Sequence, residues 1–229
     1  MRQESVARLR RFASRVASAA SVDEVVRDIA AFAAETSKCE ACGVYVAEGE
    51  NLVSQQTQQD HLKRSRLVGI QTVVGATGWE LGSRELVTVP HNAWTDPRVL
   101  LFFSEPPQDR FDWFLSIPMV NGGRLAGAIN LTGRDGQAPD EPSVELIATM
   151  GLLAGAEIER LRLASENKEL SEKLEARKIV ERAKGILQRN LTLSEEDAYL
   201  MLQRESRQRR MSMKEVAEAI VLSEDLKKK

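Results

Sequence analysis

From about Pro142 to Arg189 the sequence stays compatible with a single helix, with no proline after the first turn and a high content of Glu, Leu, Lys, Arg and Ala. That is too long for an ordinary globular helix, so the chain is expected to fold as one body before it and another after it. Along this stretch Leu153, Ala156, Leu163, Leu170 and Leu174 fall on an a/d seam, with Arg160 and Asn167 filling two a positions. A short parallel coiled coil with polar register residues has this pattern, and it predicts a homodimer joined through the helix. The competing expectation is that the seam packs on the N-terminal helices of its own chain.

With 229 residues there is room for two domains. Ahead of the long helix, VARLRRFASRVASAA carries apolar residues at helical spacing, and Ser21-Val22-Asp23-Glu24 reads as a capping box opening a second helix through about Ser37. GVYVAEGENLVSQQT alternates apolar and polar residues around Glu48-Gly49-Glu50-Asn51 and reads as a β-hairpin. A helical or irregular stretch containing Gly75-Ala76-Thr77-Gly78-Trp79 follows, then a strand Leu86-Val87-Thr88-Val89 stopped by Pro90, and a loop from Asn92 to Pro97. The clearest reversal is Asn121-Gly122-Gly123, which sets FLSIPMV and RLAGAINLT as a second antiparallel hairpin. Asp140-Glu141-Pro142 then caps the start of the long helix. This order predicts an α+β fold: an antiparallel sheet with flanking helices.

Residues of about 5 to 160 resemble a GAF domain. The resemblance rests on the paired helices, Gly75-x-x-Gly78-Trp79, Val87-x-Val89-Pro90 with Asn92-Ala93 and Asp96-Pro97-Arg98, Ser116-Ile117-Pro118-Met119, and Gly127-Ala128-Ile129-Asn130-Leu131. It implies a sensory or dimerising module with a cleft between the sheet and the irregular crossover, able to hold an unidentified small molecule. Trp79, His91, Trp94, Phe102, Phe103 and Trp113 are the expected lining; the bland alternative is that these rings plug the cleft and build core. An Asn-Lys-x-Phe-Asp-Glu signature of cyclic-nucleotide binders is missing, and no cysteine stands where bilin-binding members attach their chromophore. The two cysteines, Cys39 and Cys42, end a helix and enter a strand, which favours Cys42 as a small buried residue over a redox pair.

Beyond the long helix, Ser194-x-x-Asp197 and Ser212-x-x-Glu215 supply two further N-caps, giving three helices with two short connections. The first has an apolar stripe of Ile179, Ala183, Ile186 and Leu187, with Arg177, Arg182, Lys184 and Arg189 expected on a basic side. Between the second and third helices, Gln203 to Arg210 concentrates Arg204, Arg207, Arg209 and Arg210 in one polar stretch, an electrostatic footprint suited to phosphates. Tyr199 could stack on an unpaired base.

From about 170 to 229 the chain resembles an ANTAR domain, the RNA-binding module of bacterial transcription antiterminators. The match runs through Arg177, Ile179-Val180-Glu181-Arg182-Ala183-Lys184-Gly185-Ile186-Leu187, Ala198-Tyr199-x-x-Leu202, Ser206 and Lys214-Glu215-Val216-Ala217-x-x-Ile220. Gln203 stands where the family often has Arg, with Arg204 one place later. The resemblance implies binding of paired RNA stem-loops in nascent transcripts by a dimer. Candidate contacts are Arg177, Arg182, Lys184, Gly185, Arg189, Tyr199, Arg204, Ser206, Arg207, Arg209, Arg210 and Lys214.

The expected organisation is therefore a GAF-like sensory domain over 1–160, a connecting helix or coiled coil over 143–176, and an ANTAR-like three-helix RNA-binding domain over 170–229. A net charge of -2 gives no global signal for nucleic acid or membrane, so the cation cluster must carry that argument alone. No secretory signal or membrane span is read, which predicts a cytoplasmic protein. No catalytic constellation, phosphate-cradling loop or metal-ligand set is found, so no enzyme, cofactor or metal is expected. The competing readings are a DNA-binding regulator and a protein-binding adaptor. Against the first, the final helix, MKEVAEAIVLSEDL, is acidic on its exposed side.

Overall fold

The computed structural model describes residues 2–48, 51–58, 72–73, 86–100, 110–134 and 138–227. The chain divides into two compact units, Met1–Arg162 and Leu163–Lys229. Helices α1 (Arg2–Ala17) and α2 (Val22–Ser37) lead into strands β1 (Ala41–Glu48) and β2 (Asn51–Gln58), followed by β3 (Thr72–Val73) and β4 (Val87–Val89). A 3-10 turn (Ala93–Thr95) and the short α3 (Pro97–Leu100) precede the hairpin β5 (Trp113–Asn121) and β6 (Arg124–Gly133). The rest is helical: α4 (Glu141–Leu191), α5 (Glu195–Arg209) and α6 (Met213–Lys227).

The strands form a six-stranded antiparallel sheet in the order β3-β2-β1-β6-β5-β4. Its centre is set by the β5–β6 hairpin, where Asn121 faces Arg124 across Gly122 and Gly123. Both glycines have positive φ, 56° and 80°, the geometry that matches a two-residue turn to the twist of its strands. Gly127 is needed for a different reason. A Cβ there would run into the Tyr45 carbonyl oxygen and Met119 Cε, so the glycine lets β1 and β6 close up.

Side-chain alternation sorts the strands between two cores. On the helical face Trp113, Leu115, Ile117 and Met119 of β5 pack with α1, α2 and the first turns of α4, whose Val144, Ile147, Ala154 and Ile158 recur at helical spacing. Gly155 brings α4 against the Met119 backbone, where a Cβ would stand 3.1 Å away. The other face carries a smaller cluster of Val89, Ala93, Val99, Phe111, Phe114 and Ala128. Cys39 and Cys42 are buried free thiols in the first core, and burial pushes both thiols up, Cys42 the further. Reactive thiolates are formed by the opposite environment. The Gly75–Trp79 motif lies outside the described residues.

In the second unit the end of α4 packs on α5 and α6 through Ala183, Leu187, Ala198, Leu202, Val216 and Ala217. Each start follows from a capping residue. The Ser194 Oγ accepts from the Asp197 N–H at 3.1 Å. Ser212 and Glu215 cap reciprocally, Ser212 Oγ accepting from the Glu215 N–H at 3.2 Å and Glu215 Oε2 from the Ser212 N–H at 2.7 Å. The seam expected along α4 is divided: Leu153 packs partly on the first core, whereas Leu163, Leu170 and Leu174 are 52 %, 60 % and 60 % exposed.

Candidate nucleic-acid interface

The cations of the second unit do not share one side of α4. Helical geometry sets Arg182 and Lys184 about 200° apart around the axis, and their partners lie on different helices. Arg182 Nη2 donates to both carboxylate oxygens of Asp225 on α6, at 2.7 and 3.0 Å. Lys184 Nζ donates to Glu195 Oε1 on α5 at 2.8 Å and to both oxygens of Glu181 at 3.1 Å. The basic side read from the sequence is therefore two flanks, one turned to α6 and one to α5. Gly185 and Arg189 belong with Arg182, Gly185 three residues beyond it and Arg189 four beyond that; Arg177 falls near the Lys184 flank.

Burial separates these residues further. Lys184 is only 7 % exposed, and its hydrogen bonds to Glu195 and then Glu181 hold its ammonium above the ordinary lysine range. The same bond to Lys184 holds the Glu195 carboxyl below its ordinary range. Gly185 carries no packing duty, since a Cβ there would meet only Arg189 Nη1, at 3.8 Å.

On α5, Tyr199, Gln203 and Arg207 follow one another at four-residue spacing and so share a flank. Tyr199 is 44 % exposed and Arg207 is exposed. Arg204 lies on a different flank, in line with the exposed Leu200. Arg210 closes α5 in the left-handed region, φ 54°, its N–H bonded to the carbonyls of Arg207 and Ser206. Ser206 serves the same turn, its Oγ donating to the Met211 carbonyl at 2.6 Å. Arg209 is paired to Glu205 at 2.8 Å and Lys214 to Glu218 at 3.7 Å. Among the described residues Arg177, Arg189, Arg204, Arg207 and Arg210 are exposed and form no ion pair, which leaves five guanidinium groups open to an anion. Glu195 and Asp225 were not singled out by the sequence, and Gln203 only as a departure from the family pattern. Gln203 and Glu195 were legible as the four-residue row through Tyr199.

In the first unit, Trp79, Phe102 and Phe103 lie outside the described side chains. The structure does not bring the other three expected lining residues together. Trp113 is buried in the core under the helices, Trp94 joins the cluster on the opposite face, where Arg110 stacks on it at 4.7 Å, and His91 is exposed. Alternation along β5 is the cause, since neighbouring Trp113 and Phe114 must leave by opposite faces. A groove of about 920 Å³ lies elsewhere, along edge strand β4, lined by Leu86, Thr88, Ile117, Val144, Ala148 and Leu152 among others. No helix among the described residues is long and apolar enough to cross a membrane.

A model of the GAF domain matches residues 21–158 of this chain, and one of the ANTAR domain matches 168–221. Over 77 residues the chain is 43 % identical to the transcriptional regulatory protein PdtaR of Mycobacterium tuberculosis, covering 34 % of this chain. The chain spans only 38 % of the length of that curated relative. Among solved structures, the GAF domain of a phosphoenolpyruvate-protein phosphotransferase from Coxiella burnetii superposes with a TM-score of 0.57 at 18 % identity, covering 71 % of this chain and 96 % of its own. The Stigmatella aurantiaca phytochrome photosensory core module gives 0.59 at 14 % identity, over 89 % of this chain and 44 % of its own. At these identities the likeness is one of fold.

Proposed function

Since the chain belongs to the GAF-domain family and carries an ANTAR domain behind it, we propose that it is a cytoplasmic, signal-responsive RNA-binding regulator, a transcription antiterminator that holds paired stem-loops of nascent transcripts. The observation that carries this reading is on α5: an exposed tyrosine in line with Gln203 and the unpaired Arg207, with Arg204 and Arg210 also free of carboxylates. Aromatic faces beside unpaired guanidinium groups suit splayed loop bases flanked by phosphates. Arg177 and Arg189, and Arg182 and Gly185 on the α6 side of α4, are the further candidate contacts. Arg209, Lys214 and Ser206 are engaged within the fold and rank below them.

Input enters through the GAF domain, as a small molecule or a change of state, and leaves by α4, whose first turns belong to that domain's core. The exposed Leu163, Leu170 and Leu174, with Asn167 between them, give α4 an apolar seam for a second copy of the chain. Two basic modules on one dimer would then engage two hairpins, raising apparent affinity through effective concentration.

Mobility shift of the full chain with a structured RNA hairpin and with duplex DNA of the same sequence tests the reading. RNA alone should shift, and Tyr199→Ala should weaken it by about 1–3 kcal/mol, the worth of one stacked base. Equal retention of duplex DNA would replace this reading with a DNA-binding regulator. Retention of neither would leave a protein-binding adaptor.

A further inference from the structure

Lys184 is the only charged side chain among the described residues that is buried. Resting on the reading that the second unit binds RNA, we propose that Lys184 is a positioning residue and not a phosphate contact. Through Glu195 it fixes the start of α5 and so aims the row Tyr199, Gln203 and Arg207. An ammonium has three protons to donate. Here they are taken by Glu195 Oε1 at 2.8 Å and by the two Glu181 oxygens at 3.1 Å. A phosphate could be met only by displacing these carboxylates, and with its own side chain 9 % exposed Lys184 has little surface left to offer a ligand.

The location of Glu195 turns this pair into an aiming device. It is the first residue of α5 and lies four residues before Tyr199, at the head of the same row as Gln203 and Arg207. The connection it spans is short, three residues between Leu191 and Glu195, and includes Thr192 at φ 54°. A β-branched residue does not choose the left-handed region on its own, so the turn is held from outside. The Ser194 cap fixes the helix start and Ala198 and Leu202 seat its apolar side on α4; the Lys184–Glu195 bond adds a polar tie to α4 at the first turn, at the head of the exposed row.

The experiment uses the full chain and one RNA hairpin, with affinity measured against salt. Glu195→Gln decides by sign. If Lys184 touched phosphate, removing a competing carboxylate would raise affinity; the positioning role requires affinity to fall. Lys184→Met should weaken binding while leaving the slope of log K against log salt unchanged, whereas Arg207→Gln should flatten it by about 0.7–0.9, one released counterion. The exchanged pair Lys184→Glu with Glu195→Lys should recover most of the affinity that Lys184→Glu alone loses, with helix content by circular dichroism equal throughout. A flattened slope for Lys184→Met, or tighter binding by Glu195→Gln, overturns the proposal. If the parent chain binds no RNA, the functional reading fails and hydrogen exchange in the first turn of α5 judges the device: Lys184→Met should speed it and the exchanged pair restore it. Unchanged exchange overturns it.

Discussion

The first unit buries Ile29, Leu115, Ile117, Ile129 and Ile147 almost completely between a sheet and its helices, and Phe114 on the sheet's other face. The second buries Leu202 completely, with Ile186 and Leu187 at 4 % and 8 % exposure, beside Ala183, Ala198 and Ala217. Alanines let three helices approach closely but remove little apolar area from water, at about 25 cal/mol per Å². What the second unit has in proportion is polar fastening: two capped helix starts, Lys184 between Glu181 and Glu195, and Arg182 on Asp225. The difference teaches where each unit is vulnerable: the first to changes of shape, the second to changes of charge and caps as well.

The largest expected effect breaks the comparison at the most deeply buried large side chain of the second unit. Leu202→Ala should cost about 2–5 kcal/mol, the range for a buried leucine, and a small helical module has little more than that to lose. The same change at Leu131, fully buried in the first core, should destabilise that unit without unfolding it. Hydrogen exchange resolved by segment reads both. Selective loss of protection over α5 and α6 is expected for Leu202→Ala, and equal loss in both units would show that the two cores do not differ in this way.

Caps come next. Ser194→Ala should cost about 1 kcal/mol through the lost bond to the Asp197 amide. Acid acts on the same unit through charge. Glu195 and Glu215 both titrate below the ordinary 4.5 in the folded chain, the first through Lys184, the second through the Ser212 N–H and hydroxyl. A depressed folded pKa gives stability that is complete above the unfolded value and lost as pH falls through the folded one. Lys184 is raised instead, so its share persists through neutral pH and fades only as pH rises through that elevated value. The second unit should therefore loosen as pH drops below about 4.5 and not between 6 and 9, as followed by exchange at α5; a loss centred near neutrality would contradict the assignment.

Much of this architecture was legible because local chemistry specified it. Ser21, Ser194 and Ser212 announced three helix starts, and Asn121-Gly122-Gly123 a tight hairpin, each through a side chain or a φ preference that acts within a few residues. The candidate site was less legible, because its decisive contacts cross a chain reversal. Lys184 follows Val180 by four residues and precedes Leu187 by three, which places it at the edge of the apolar stripe. Yet nothing local says that Glu195, beyond Thr192, comes back to meet it. Trp94 and Trp113 were grouped as aromatic neighbours, yet alternation along β5 turns Trp113 into the core under the helices, while the 3-10 turn carrying Trp94 packs on the opposite face of the sheet.

The smallest effect is also the one that separates folding from binding most cleanly. Gly185 sits inside α4, where glycine costs about 0.5–1 kcal/mol relative to alanine. Its surroundings offer no offsetting packing, because a Cβ would meet nothing nearer than Arg189 Nη1 at 3.8 Å. Gly185→Ala should accordingly raise the unfolding free energy of the second unit by that amount. If the flank carrying Arg182, Gly185 and Arg189 approaches an RNA backbone, the added methyl should lower affinity in the same protein that has become more stable. A gain in stability with unchanged binding would take this flank of α4 out of the interface and leave the α5 row to carry it alone.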